Sequence, residues 1–78
     1  MELISISFDI NKFNSQSARR YLVSHKFKPI SRVEKSSNCL VYKMKNIDYF
    51  YDFNETKLED DISVLIGKRK KIKKILIK

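Results

Sequence analysis

The first residues of the chain alternate between apolar and polar side chains. Ile4, Ile6 and Phe8 fall on one face of an extended segment, and Ser5 and Ser7 fall on the other. A period of two residues is typical of a β-strand with one buried face. The chain is therefore predicted to open with a half-buried strand.

A helix is predicted next. Asn14 or Ser15 can accept a hydrogen bond from the free amides of a first helical turn, as N-cap residues do. The apolar positions then recur at intervals of three and four residues, which builds a helical stripe. This stripe consists of Ala18, Tyr21 and Leu22. Because Pro29 disfavours helical geometry at Lys28, the helix is expected to end near Lys26.

The middle of the chain predicts a hairpin. Residues 30–33 have the composition of a second strand, and residues 36–38 have the composition of a turn. Residues 39–44 alternate again, with Leu40, Tyr42 and Met44 on one face, and predict a third strand.

Two further strands complete the pattern. Residues 47–53 predict a fourth strand with aromatic side chains on both faces, and residues 54–61 predict an acidic turn or short helix. Residues 62–66 predict a last strand that ends at Gly67, the only glycine. The tail, residues 68–78, fits either a helix or an edge strand, and the pattern slightly favours the helix.

These elements predict an α+β fold in which one main helix packs on a mostly antiparallel sheet of four to five strands. With 78 residues the chain has room for one domain, assigned to residues 1–67, followed by a basic tail at 68–78. The predicted core consists of Ile4, Ile6, Phe8, Ala18, Tyr21, Leu22, Ile30, Val33, Leu40, Tyr42, Val64 and Ile66.

Composition narrows the class of protein. A single cysteine allows neither an internal disulfide nor a cysteine-rich zinc site, and one glycine allows no phosphate-binding glycine loop. No apolar run has the length of a membrane span, and no signal-peptide pattern opens the chain. We therefore expect an intracellular protein that is not an enzyme, holds no metal or cofactor and does not enter a membrane.

Charge is the strongest functional signal, because the net charge of +8 is unevenly distributed. Residues 12–45 carry +8, residues 48–61 carry −5 and residues 68–78 carry +7. Clustered cations attract polyanions, because phosphate binding releases counterions. A basic tail can equally serve solubility, or fold against the acidic segment.

The first functional hypothesis is nucleic-acid binding, to DNA or RNA, through phosphate contacts without sequence specificity. The candidate contacts are Arg19, Arg20, Lys26, Lys28, Arg32, Lys43, Lys68, Arg69, Lys70, Lys71, Lys73 and Lys74. Aromatic residues between lysines at 42–51 suggest a surface for base stacking, although a domain this small needs most of its aromatics in the core.

The second hypothesis is a protein partner. An exposed sheet edge, or an apolar stripe formed by Ile72, Ile75 and Leu76, would then be the docking surface, and the charge would steer association. Oligomeric state is left open by the sequence.

The spacing also resembles that of small, uncharacterised β-α-β-β domains encoded by large DNA viruses and some phages. The matching positions are Ser5-Ile6, Lys12-Phe13, Ala18, Tyr21-Leu22, His25, Phe27-Lys28, Val33-Glu34, Ser36, Tyr42-Lys43 and the stretch 62–67. Lys26 stands where those domains have glycine, and Val41, Lys43 and Met44 replace their Arg, Arg and Gln. The resemblance implies a viral or phage origin and carries no activity.

Overall fold

The computed structural model describes residues 1–70. The elements in chain order are β1 (Glu2–Asp9), α1 (Ser15–Ser24), β2 (Glu34–Lys35), β3 (Cys39–Lys43), a 3-10 turn (Ile47–Tyr49), β4 (Phe50–Glu59) and β5 (Ile62–Arg69). The five strands form one sheet in the order β2-β3-β1-β5-β4, and every neighbouring pair is antiparallel. The predicted α+β class is confirmed. Between residues 1 and 70, no helix has the length and apolar character needed to cross a membrane.

Helix α1 packs on one face of the sheet and buries its apolar stripe there. Ala18 and Leu22 are buried, and Tyr21 is partly buried against the same cluster. The strand residues beneath them are Ile6, Phe8, Leu40, Tyr42, Met44, Ile62 and Val64. Phe8 lies at the centre of an aromatic group, with edge-to-face contacts to Phe13, Tyr21 and Tyr42 at centroid distances of 4.9, 5.6 and 5.6 Å. One helix and one sheet face thus share the main core.

The start of α1 is held by a capping box in which Asn14, one of the two predicted N-cap residues, is the cap. The Asn14 side chain accepts a hydrogen bond of 2.8 Å from the Ser17 amide, and the Ser17 hydroxyl accepts one of 3.1 Å from the Asn14 amide. Two amides that have no partner within the helix are satisfied in this way.

The end of α1 is a Schellman turn. The amide of Phe27 donates to the Leu22 carbonyl at 2.8 Å, and the amide of Lys26 donates to the Val23 carbonyl at 3.0 Å. Lys26 has a φ of 62°, which lies in the left-handed region that favours glycine. This is the position at which the resembling domains have glycine.

Replacing Lys26 with glycine is expected to stabilise the fold by about 1 kcal/mol, because a side chain in the left-handed region carries a steric cost that glycine avoids. Thermal unfolding measures the change. As a control, Ser24→Gly alters a residue within the helix and is expected to cost up to about 1 kcal/mol. A Lys26→Gly chain that melts below the wild type would contradict this account of the turn.

The predicted second strand is misplaced. Residues 30–33 form an irregular segment, and β2 contains only Glu34 and Lys35. Ile30 is not a core residue, since its side chain is 60% exposed, although its amide donates to the Lys43 carbonyl at 2.8 Å. The segment after α1 is thus held to β3 by a backbone hydrogen bond, while the apolar side chain of Ile30 remains in solvent.

The fourth and fifth strands differ from their predicted bounds. The predicted strand at 47–53 begins with the 3-10 turn, and the predicted acidic turn at 54–61 is largely strand, since β4 continues to Glu59. β4 pairs with β5 through its backbone while residues 51–59 remain exposed, so side-chain burial gives no pattern for it.

β5 does not end at Gly67 but continues to Arg69. A Cβ at position 67 would lie 2.8 Å from Cδ1 of Ile4 and 3.0 Å from the ring of Phe53. Glycine therefore allows close packing within the strand.

β1 has a bulge between Leu3 and Ser5. Ile4, which lies at this bulge, is buried but does not belong to the cluster beneath the helix. The predicted tail conformation at 71–78 lies outside the described residues.

Candidate nucleic-acid interface

The longest stretch of the chain without an acidic side chain, residues 10–33, contains α1 and the segment that follows it. All six of its cations have exposed side chains, and the five that lie in α1 and the segment after it form what we call the basic face: Arg19, Arg20, Lys26, Lys28 and Arg32. Within residues 1–70, none of the five lies at ion-pair distance from a carboxylate. Their positive charge is thus available to a ligand.

The amphipathic pattern of α1 explains why its arginines face outward. Ala18 and Leu22 turn to the sheet, which leaves Arg19 and Arg20 on the solvent side. Arg19 and Val23 are four residues apart and neighbour each other along the helix surface. The outer side of α1 therefore combines cations with an apolar side chain.

A groove lies between α1 and residues 27–33. Its volume is about 940 Å³, and its lining includes Arg19, Leu22, Val23, Phe27, Ile30 and Arg32. Tyr42 of β3 also contributes to the lining, so the groove lies toward the β3 side of the sheet. The groove thus has an apolar interior with Arg19 and Arg32 on its lining.

A shallower depression of about 430 Å³ adjoins the groove on the outer side of α1. It shares Gln16, Arg19 and Val23 with the groove and adds Arg20 and Ser24. Arg32 thus lines the groove, Arg20 lines the depression and Arg19 lines both.

Three of the predicted nucleic-acid contacts instead form ion pairs within the protein. Lys43 lies 2.9 Å from Glu34, and Lys68 lies 3.3 Å from Asp52. Arg69 binds both carboxylate oxygens of Glu2, at 2.7 and 2.9 Å, and its guanidinium lies 5.0 Å from the centre of the Phe50 ring. Lys70 is exposed, and Lys71, Lys73 and Lys74 lie outside the described residues.

Glu2 receives a second cation, because Lys45 Nζ lies 2.6 Å from Glu2 Oε1. The hydrogen bonds from Arg69, followed by the one from Lys45, lower the pKa of the Glu2 carboxyl from 4.5 to about 2. The ionised carboxylate is therefore favoured in the folded state.

Because the pKa of Glu2 is lowered in the folded state, the free energy of unfolding depends on pH in the acid range. The Glu2 interactions are fully present above pH 4.5 and are lost as the pH falls toward about 2, because the unfolded chain binds the proton first. We expect the wild type to lose stability over this range more steeply than Glu2→Gln, whose amide does not titrate. Thermal unfolding at a series of pH values tests this, and parallel profiles for the two chains would contradict it.

The aromatic residues at 42–51 do not form one stacking surface. Tyr42 and Phe50 are buried, and burial raises the pKa of the Tyr42 phenol, which donates to the Ser15 carbonyl at 3.4 Å. Tyr49 and Tyr51 are exposed, but they precede and enter β4, within the acidic segment. Phosphates would meet repulsion there.

The acidic segment, residues 48–61, and the groove lie toward opposite edges of the sheet. β4 forms one edge, whereas the groove is fastened over β3 near the other. One contact crosses toward the helix, where the Tyr21 hydroxyl donates to Glu59 at 3.2 Å. Burial, together with the charge of Glu59, raises the pKa of the Tyr21 phenol. Strands β1 and β5 thus lie between the acidic strand β4 and the strand β3 that lines the groove.

The groove was not predicted from the sequence. Its outer wall is the irregular segment that the sequence pattern assigns to a strand. The feature of the sequence that could have indicated the groove is the apolar pair Pro29-Ile30 beside cations.

In residues 1–70, no group of three or more His, Cys, Asp or Glu side chains is arranged to hold a metal ion. Comparison of the chain with protein-family models, with curated proteins and with solved structures gives no match.

Proposed function

We propose that the protein binds nucleic acid through phosphate contacts made by the basic face, without sequence specificity. The observation that supports this proposal most strongly is that five exposed cations, none with a carboxylate partner among the described residues, are clustered on α1 and the segment that follows it. Binding a polyanion releases its counterions, so unpaired cations contribute more than cations already held by carboxylates.

The proposal changes the set of contacts. Lys43, Lys68 and Arg69 are assigned to ion pairs that support the sheet, and the basic face takes the principal role. The cations of the tail add non-specific attraction. Such a role, inside a host cell or a virion, suits a small protein of the kind that large DNA viruses and phages encode.

The test compares two variants with equal loss of charge. Arg19→Gln/Arg32→Gln removes two cations of the basic face, and Lys35→Gln/Lys57→Gln removes two exposed lysines outside it. We expect the first variant to bind a labelled oligonucleotide about tenfold to a hundredfold more weakly than the second in fluorescence anisotropy. Equal weakening in both would show that only net charge matters and would contradict an interface at the basic face.

A protein partner is the second candidate, and the exposed edge of β4 favours it. Tyr51, Phe53 and Leu58 are all at least 41% exposed along this strand. A long edge with exposed apolar residues can accept a further strand from another chain. Purification of the intact protein from its source with a stoichiometric protein and without nucleic acid would favour this candidate over the first.

A further inference from the structure

We infer that the groove receives unpaired bases, so that the preferred ligand is a single strand of nucleic acid rather than a duplex. This inference rests on the proposed function and specifies its ligand. The groove combines apolar walls with cations, and a single-stranded nucleic acid presents apolar base faces and charged phosphates in regular alternation.

The walls of the groove present apolar side chains to solvent. The side chains of Val23 and Ile30 are 75% and 60% exposed and flank the groove from α1 and from the following segment. Phe27, which is partly buried, and the buried Leu22 contribute to the interior. A ligand that covers these side chains gains the free energy of burying them.

Charge decides between ligands that could cover an apolar groove. Arg19 and Arg32 both belong to its lining, and residues 10–33 contain no acidic side chain. An apolar ligand without charge would cover these arginines without replacing their hydration. A chain of nucleotides places phosphates at the arginines and bases between the apolar walls.

The shape favours an extended ligand. The groove and the shallower depression on α1 have Arg19 in common, while Arg32 lines the first and Arg20 the second. A strand that occupies both places phosphates near these three arginines. A duplex keeps its bases stacked inside, and unstacking one base costs a few kcal/mol, so a duplex reaches the cations without filling the groove.

The experiment separates bases from phosphates. Fluorescently labelled twelve-nucleotide strands of thymidine and of abasic residues carry the same phosphates, and a duplex of the same length completes the set. We expect the intact chain to bind the thymidine strand about tenfold more tightly than the abasic strand, the effect of stacking about one base.

Two variants locate the effect. Val23→Ser and Ile30→Ser alter exposed side chains of the groove, and Leu58→Ser alters an exposed side chain of β4 as a matched control. The first two are expected to abolish the preference for the thymidine strand over the abasic strand, and the control is expected to keep this preference. Circular dichroism confirms that each variant is folded.

The outcomes distinguish this inference from the proposed function. If the thymidine and abasic strands bind equally and the groove variants change nothing, the groove inference is wrong and phosphate binding stands. If no probe binds, the proposed function itself fails. If a peptide of alternating glutamate and leucine binds the groove more tightly than the thymidine strand, the ligand is an acidic protein segment and the inference is overturned.

Discussion

Truncating Leu22 to alanine is expected to lower the free energy of unfolding by about 2 to 5 kcal/mol. Leu22 is only 2% exposed and belongs to the cluster between α1 and the sheet. Its carbonyl also accepts the amide of Phe27 in the turn that ends the helix. Alanine keeps that backbone bond but leaves a cavity, so the loss measures side-chain packing alone.

The neighbouring residue provides the control. Val23→Ala removes a side chain that is 75% exposed, and alanine is the better helix former, so stability is expected to change little. Urea denaturation of both variants measures the difference. Because a domain of this size has only about 5 to 10 kcal/mol of total stability, Leu22→Ala is expected to be partly unfolded at 37 °C. Equal stability of the two variants would contradict the placement of the helix.

Removing residues 68–78 is expected to destabilise the fold, by about 2 to 4 kcal/mol. The sequence pattern assigns the domain to residues 1–67, but β5 continues through Lys68 and Arg69. Arg69 pairs with Phe50, and Lys68 pairs with Tyr51, so this cut removes the partners of the first two residues of β4. It also removes the Arg69 guanidinium from Glu2.

A cut after Lys70 is the matched control. It keeps β5 and the hydrogen bond from the Lys70 amide to the Tyr49 carbonyl at 2.9 Å. It removes four lysines and lowers the net charge from +8 to +4. Guanidinium denaturation is expected to give near-native stability for this chain and a clear loss for the shorter one. Equal stability of the two shortened chains would show that Lys68 and Arg69 do not support the sheet.

The elements with a buried face were predictable from the sequence. β1, α1 and β3 each place apolar residues at the period of their secondary structure, and Asn14 marks the start of the helix. β2 and β4 were misplaced because backbone pairing with a neighbour, and not side-chain burial, determines where they lie. Met44, Phe50 and Ile62 are core residues that are absent from the predicted core, although the predicted strands contain all three.

The candidate site was predictable in its charge and not in its geometry. The cations of residues 19–32 can be counted in the sequence, but their freedom from carboxylates depends on the fold. Arg69 shows the converse, because its partner Glu2 lies 67 residues away in the chain. No local pattern reveals that pairing, and the groove likewise exists only where the segment after α1 meets β3.

The salt dependence of binding tests the central claim most directly. The measurement is the affinity of the full chain for a labelled single strand at several salt concentrations, compared with a variant in which all five cations of the basic face are glutamine. With five phosphate contacts on a single strand, the slope of log affinity against log salt is expected to be about 3.5 steeper for the wild type. Identical slopes for the two chains would contradict binding through the basic face.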